Sequence, residues 1–212
     1  MHPADELRDW TIKQFTWSIN RIGFVTRHIP ADWVDVKEWW ERCIAGPATR
    51  GLQYNIDFLS TGSASHLEGL RVFWGEFTNQ VENLGEALAN RWHLQAVNND
   101  SAWIDGKAPE KYAEGLRLMA LGFAYTKSQS NRISDAILRD IQQLADYWMG
   151  KALLAISIRL AISIIPSLSG RGALIKAGLA LMSLIGSLFA TPYNPNNTIP
   201  KLDKKWPELD LW

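Results

Sequence analysis

One cysteine, Cys43, occurs in the 212 residues, so no intrachain disulfide can form and no cysteine cluster can hold a metal. The four histidines, His2, His28, His66 and His93, are scattered and lack a ligand spacing such as H-E-x-x-H. G-x-S-x-G, phosphate-loop and G-x-G-x-x-G patterns are all missing. No catalytic residue, metal or cofactor is therefore assigned, and the chain is read as a non-enzyme. Alternating strand patterns and a βαβ rhythm are missing too, which points to an all-α fold. Basic residues do not line up with aromatics on one stripe, so nucleic acid is not an expected partner. The opening, "MHPADELRDWTIK", lacks the basic patch and apolar run of a secretory signal, so synthesis in the cytoplasm without a signal peptide is expected.

The most telling absence is local. From Lys151 to Ala190, "KALLAISIRLAISIIPSLSGRGALIKAGLALMSLIGSLFA", there is no acidic side chain, while Lys151, Arg159, Arg171 and Lys176 are basic. The overall charge of zero hides this asymmetry. Residues 1–146 carry 15 basic against 19 acidic side chains, and residues 147–212 carry 7 against 3. Cationic apolar segments are drawn to anionic lipid surfaces.

"SLSGRG" after Pro166 marks a turn between two apolar arms, Lys151–Ile165 and Ala173–Ala190, so the stretch reads as a helical hairpin. A spanning helix wants about 20 apolar residues. The second arm comes near that length, with Lys176 able to snorkel to an interface. The first arm has Arg159 in its middle, at a cost of about 2.5–3.5 kcal/mol on insertion scales. A permanent anchor is therefore not expected; a segment sheltered in water and released at a membrane is. Ser157/Ala161, Ala173/Ala177 and Gly186/Ala190 are small pairs that would let helices approach closely. The residues expected to enter a bilayer are Leu153, Ile156, Arg159, Ile162, Ile165, Leu174, Lys176, Leu179, Leu181, Leu184, Leu188 and Phe189. A change such as Leu181→Asp should abolish that entry while sparing the soluble form.

The rest of the chain reads as amphipathic helices able to wrap such a hairpin. Ile12, Phe15, Ile19 and Ile22 share a first face. A second helix has Asp32 as its expected N-cap and a stripe of Trp33, Val36, Trp40 and Cys43, with Gly46-Pro47 expected to end it and, over 50–64, a loop with a short element around Tyr54–Leu59 expected. Cys43 on that stripe reads as an inert core thiol. Ser65 and Glu68 form an expected capping box. They open a helix over 65–97 whose Leu67, Leu70, Trp74, Phe77, Val81, Leu84 and Leu88 keep a heptad seam. "NNDSAWIDGKAP" breaks the pattern; Pro109 opens a helix with Tyr112, Leu116, Met119 and Phe123, and "KSQSN" interrupts again before Ser130 caps another, carrying Ile133, Ile137, Ile141, Leu144 and Trp148. Eleven tryptophans are spread along the chain, and Trp206 and Trp212 fall in a tail with Pro192, Pro195, Pro200 and Pro207, which excludes a continuous helix there. The expected architecture is one helical domain over 1–190, a bundle enclosing the hairpin, followed by an extended tail over 191–212.

An all-helical chain of this size ending in "ALLAISIRLAISIIPSLSGRGALIKAGLALMSLIGSLFA" resembles the pore-forming domain of colicins and small pore-forming effectors of type VI secretion, which likewise lack signal peptides. It differs in the charges at Arg159 and Lys176 and in the tail after the hairpin. The resemblance implies an antibacterial toxin, exported by a signal-independent route, whose hairpin inserts into the inner membrane of a target cell and dissipates ion gradients. It also implies an anionic lipid bilayer as partner, a secretion carrier or chaperone, an immunity protein, and room for an oligomer in the membrane. The alternative from the residues is a soluble helical interaction protein binding through the 65–97 helix or the tail.

Overall fold

The computed structural model describes residues 1–97, 108–190 and 193, with side chains for 1–91, 111–190 and 193. The expected turn at 98–107 and almost all of the expected tail lie outside the described residues. Among these there are six α-helices: α1 (Pro3–His28), α2 (Val34–Trp40), α3 (Gly46–Leu59), α4 (Ala64–Val97), α5 (Ala108–Ile164) and α6 (Arg171–Ala190). A π-helical turn, Glu41–Ala45, joins α2 to α3, and a 3-10 turn, Ile165–Ser167, follows α5. No strand occurs among the described residues, so the all-α expectation holds. Where the sequence suggests one domain over 1–190, contacts group the residues into two compact units. One is Met1–Ser65 with Ile141–Pro195; the other takes in His66–Asp140.

The first unit holds α1, α2, α3, the last turns of α5, and α6. Gly46-Pro47 was expected to stop a helix but starts α3 without a loop, because the π turn widens the backbone just ahead of the proline. The Gly46 N–H reaches back to Glu41 O, which makes room for a ring that would otherwise crowd the preceding turn. The extra residue in that turn also rotates the apolar stripe by one position. The buried line runs Val36, Trp40, Ile44, Ala48, Leu52, Leu59, and Cys43 comes out exposed rather than in the core. The short element expected around Tyr54–Leu59 is accordingly the end of a helix that starts at Gly46, and the loop expected before it is helical. Asp32 does not cap α2; Trp33 stands at that position without a side-chain cap bond.

α1 packs on α3 through a face centred on Thr11, Phe15, Ser18 and Ile22, one step round from the Ile12/Ile19 face expected. Small polar residues at the contact let the helices close up, and the Thr11 hydroxyl donates to Leu7 O at 2.8 Å. α4 begins at Ala64, so Ser65 stands inside the helix and not at its expected N-cap position. Asp5 of α1 instead accepts from the backbone N–H of Ala64 at 2.8 Å and of Ser65 at 2.9 Å, and so caps α4 from outside. Glu68 is taken up by Arg71 at 2.6 Å. Burial alone would raise the Asp5 carboxyl, but the Ser65 and Ala64 hydrogen bonds and the Arg8 guanidinium outweigh it and hold the group below the usual carboxylate range.

In the second unit, α4 meets the first half of α5 along Thr78, Val81 and Gly85. The Thr78 hydroxyl donates to Ser130 Oγ at 2.8 Å, and a Cβ on Gly85 would stand 3.1 Å from Phe123. The "KSQSN" break and the Ser130 cap do not materialise. α5 runs 57 residues unbroken, and Ser130 donates to Lys127 O within it. Nothing in Lys127–Asn131 is glycine or proline, and serine and asparagine weaken a helix without stopping it.

Candidate membrane-insertion hairpin

Pro166 has no N–H to donate and disfavours helix at Ile165, so α5 ends here in a 3-10 turn closed by Leu168 N–H on Ile165 O at 3.1 Å. Gly170, at φ +108°, supplies the left-handed conformation that starts the return. α6 then runs back far enough for Leu188 to meet Lys151, so the two arms are antiparallel, as the turn signal suggested.

Each arm buries one side. Ile158, Ile162 and Ile165 of the first arm and Leu174, Leu181, Ile185 and Leu188 of the second are in the core. The opposite sides are open: Leu153 is 60% exposed and Leu179 57%, with Ile156, Leu160, Ile164 and Phe189 exposed as well, while Leu184 is intermediate. Only 39% and 28% of the apolar windows of the two helices are buried. The bundle therefore does not enclose the hairpin among the described residues; it covers one face. The reason is geometric, since α1, α2 and α3 lie in the same unit and meet the arms from one side.

The close approach rests on a residue the small-pair reading passed over. A Cβ on Gly178 would stand 3.0 Å from Trp40 and 3.1 Å from Ile44, so α6 lies against α2 and the π turn with no room for a side chain. Gly51 of α3 approaches Ile185 in the same way, at 3.0 Å. Of the expected small pairs, Gly186 has open space around it. The signal for Gly178 was present, because it is the glycine on the Leu174/Leu181/Ile185 face; reading pairs four apart by residue size alone hid it.

The basic residues are used as fasteners. Arg159 leans on α1: its guanidinium donates to Gln14 Oε1 at 2.5 Å and lies 4.8 Å from the Trp17 ring centre. Arg171 pairs loosely with Asp35 at 3.6 Å and stands 5.7 Å from the Trp33 ring. Lys176 is exposed. Lys151, at the mouth of the hairpin, is only 2% exposed. Its ammonium donates to Asn55 Oδ1 at 3.2 Å and to Leu188 O, and sits 5.0 Å from the Tyr147 ring centre. It thus satisfies a last-turn carbonyl of α6 and opposes the negative end of that helix. Sequence reasoning saw Lys151 as a charge bounding an apolar run. That it is buried depends on Tyr54, Asn55 and Phe58 of α3, which lie about a hundred residues away in sequence.

Of the heptad seam, Val81 is buried, Leu67, Trp74, Phe77 and Leu88 are half-buried, and Leu70 and Leu84 are exposed, Leu84 by 54%. The contact line has moved to Thr78 and Gly85, where a hydrogen bond and a glycine permit closer packing. Among the described residues no group of His, Cys, Asp or Glu is arranged to hold a metal ion. No known family, curated protein or solved structure matches this chain.

Proposed function

We propose that this protein is a pore-forming toxin or effector whose hairpin 151–190 inserts into the inner membrane of a target cell and dissipates its ion gradients. The observation that carries the reading is the open apolar side of both arms. Leu153, Ile156, Leu160 and Ile164 on α5 and Leu179 and Phe189 on α6 present large apolar side chains to water at lengths that suit a bilayer. Arg159 and Arg171 are held by side chains of α1 and α2, so leaving the bundle frees them for lipid phosphates or a water-filled lumen. The anionic bilayer is then the principal partner, a carrier and an immunity protein are secondary ones, and the resemblance to colicin-type domains supplies the mode of action.

The test is dye and ion release from anionic liposomes. Release that scales with protein concentration is expected; full solubility with no release at any pH or membrane potential would refute the reading. A second reading is favoured by α4, where Leu70, Phe73 and Leu84 are exposed: a soluble interaction protein that binds a partner through that helix. Depolarisation of the producing cell on induced expression separates the two, since an adaptor leaves the membrane potential intact.

A further inference from the structure

The pocket beside the end of the hairpin has more in it than a fastening needs. Rings of Tyr54, Phe58, Tyr147, Phe189 and Tyr193 line a space together with Lys151, and among the described residues no acidic side chain lines it. Its volume is about 160 Å³. For scale, an apolar cavity of about 150 Å³ takes a benzene-sized molecule.

The electrostatics of this space are unbalanced. An ammonium has three protons to donate. Asn55 Oδ1 and Leu188 O each accept one, and both are neutral oxygens; the Tyr147 ring adds a weak attraction from its face. Tyr147 supplies no counter-charge either. Its phenol is pushed up to about 12, by burial first and by Tyr54 beside it second, and stays neutral at physiological pH. A cation taken out of water without an opposite charge is costly, and an anion entering the pocket lowers that cost.

We propose that this pocket binds a small monoanion with one flat ring, an aromatic carboxylate, with its carboxylate on Lys151 and its ring among Tyr54, Phe58 and Phe189. Such an occupant touches α3, α5 and α6 together, so it stabilises the fastened hairpin by mass action. That consequence rests on the hairpin being the inserting element; the binding itself does not.

Calorimetric titration of the full chain with benzoate, and with benzamide as its neutral isostere, tests the proposal. Saturable one-to-one binding of benzoate is expected, at least about tenfold tighter than benzamide. Lys151→Met should erase that preference, and Tyr54→Ala, which removes an exposed ring and leaves the core alone, should weaken both probes. Equal affinity for the two probes, no saturable binding of benzoate up to about 10 mM, or a preference that survives Lys151→Met overturns the proposal. If Lys151→Met does not fold, the wild-type ratio and the Tyr54→Ala titration decide alone. Liposome release measured without benzoate keeps the two readings apart. Release with no benzoate binding removes the pocket only, and benzoate binding with no release removes the inserting hairpin only.

Discussion

The two arms of the hairpin are similar in composition and each buries one apolar side, but they differ in what is added to that burial. The first, at the end of α5, is fastened by charge: Lys151 on Asn55 and Leu188 O, Arg159 on Gln14 and Trp17. The second, α6, is fastened chiefly by shape, with Gly178 against Trp40 and Ile44 and Gly51 against Ile185, and on the polar side by the loose Arg171–Asp35 pair. Polar fasteners can be exchanged for water or lipid headgroups, because each lost hydrogen bond is replaced by another. A close-packed seam has no substitute once opened. The contrast suggests that the first arm is the easier to release, although it carries the charge that is costlier to insert.

The largest expected effect comes from the inward side. Leu181 is 0% exposed, so Leu181→Asp buries an unpaired carboxylate and should cost more than about 4 kcal/mol, enough to abolish folding as read by circular dichroism and urea titration. This corrects the expectation that the soluble form would survive that change. Leu179→Asp, on the open side of the same helix, should alter stability by no more than about 0.5 kcal/mol and still eliminate liposome release. If Leu179→Asp leaks as well as the parent, the open face is not the inserting one.

Gly178→Val comes next. Its side chain would overlap Trp40 and Ile44, and a loss of about 1–3 kcal/mol is expected in urea unfolding. Gly186→Ala, with nothing near it, is the control and should be neutral or stabilising by about 0.5–1 kcal/mol. Equal effects at the two glycines would show that α6 is not seated as described.

Arg159→Met is smaller on stability and larger on activity. The exposed guanidinium gives up one hydrogen bond and a ring contact, about 0.5–1.5 kcal/mol. Insertion is relieved of about 2.5–3.5 kcal/mol. Faster release from liposomes is expected, and slower release would mean that Arg159 works inside the pore rather than against entry.

The smallest effect is that of pH at the other end of the unit. The Asp5 carboxyl lies below its unfolded value of 3.8, so its contribution is fully present above that value and is lost as pH falls through the lower, folded one. Thermal midpoints measured from pH 5 down to pH 2 should drop less steeply in Asp5→Asn than in the parent. The same slope in both would remove Asp5 from the account of how α4 is capped.

Much of the helix inventory was legible because it depends on local periodicity. A first helix, a helix reaching Val97 and the Pro166–Gly170 turn all appear where the pattern put them, although the buried faces of both helices are shifted from the expected ones. Registers around irregularities were not legible. One extra residue in the Glu41–Ala45 turn exchanged Cys43 for Ile44 in the core, and no periodicity rule announces a π turn. Contacts between distant segments were equally hidden. Asp5 as the cap of α4, Asn55 as the partner of Lys151 and Trp17 as the seat of Arg159 each join residues more than fifty positions apart.

By itself the sequence determined that this chain is helical and that its last helical pair is apolar with cations and no acids. Both follow from side-chain chemistry summed over a few turns. Only the tertiary structure decided which side of that pair is covered and where each cation rests. Covering one side depends on how closely α6 can approach α2, which is set by a missing Cβ at Gly178; burying Lys151 depends on acceptors that α3 and α6 bring to it. A linear pattern records which groups are present, and free energy in a folded chain depends on which of them meet.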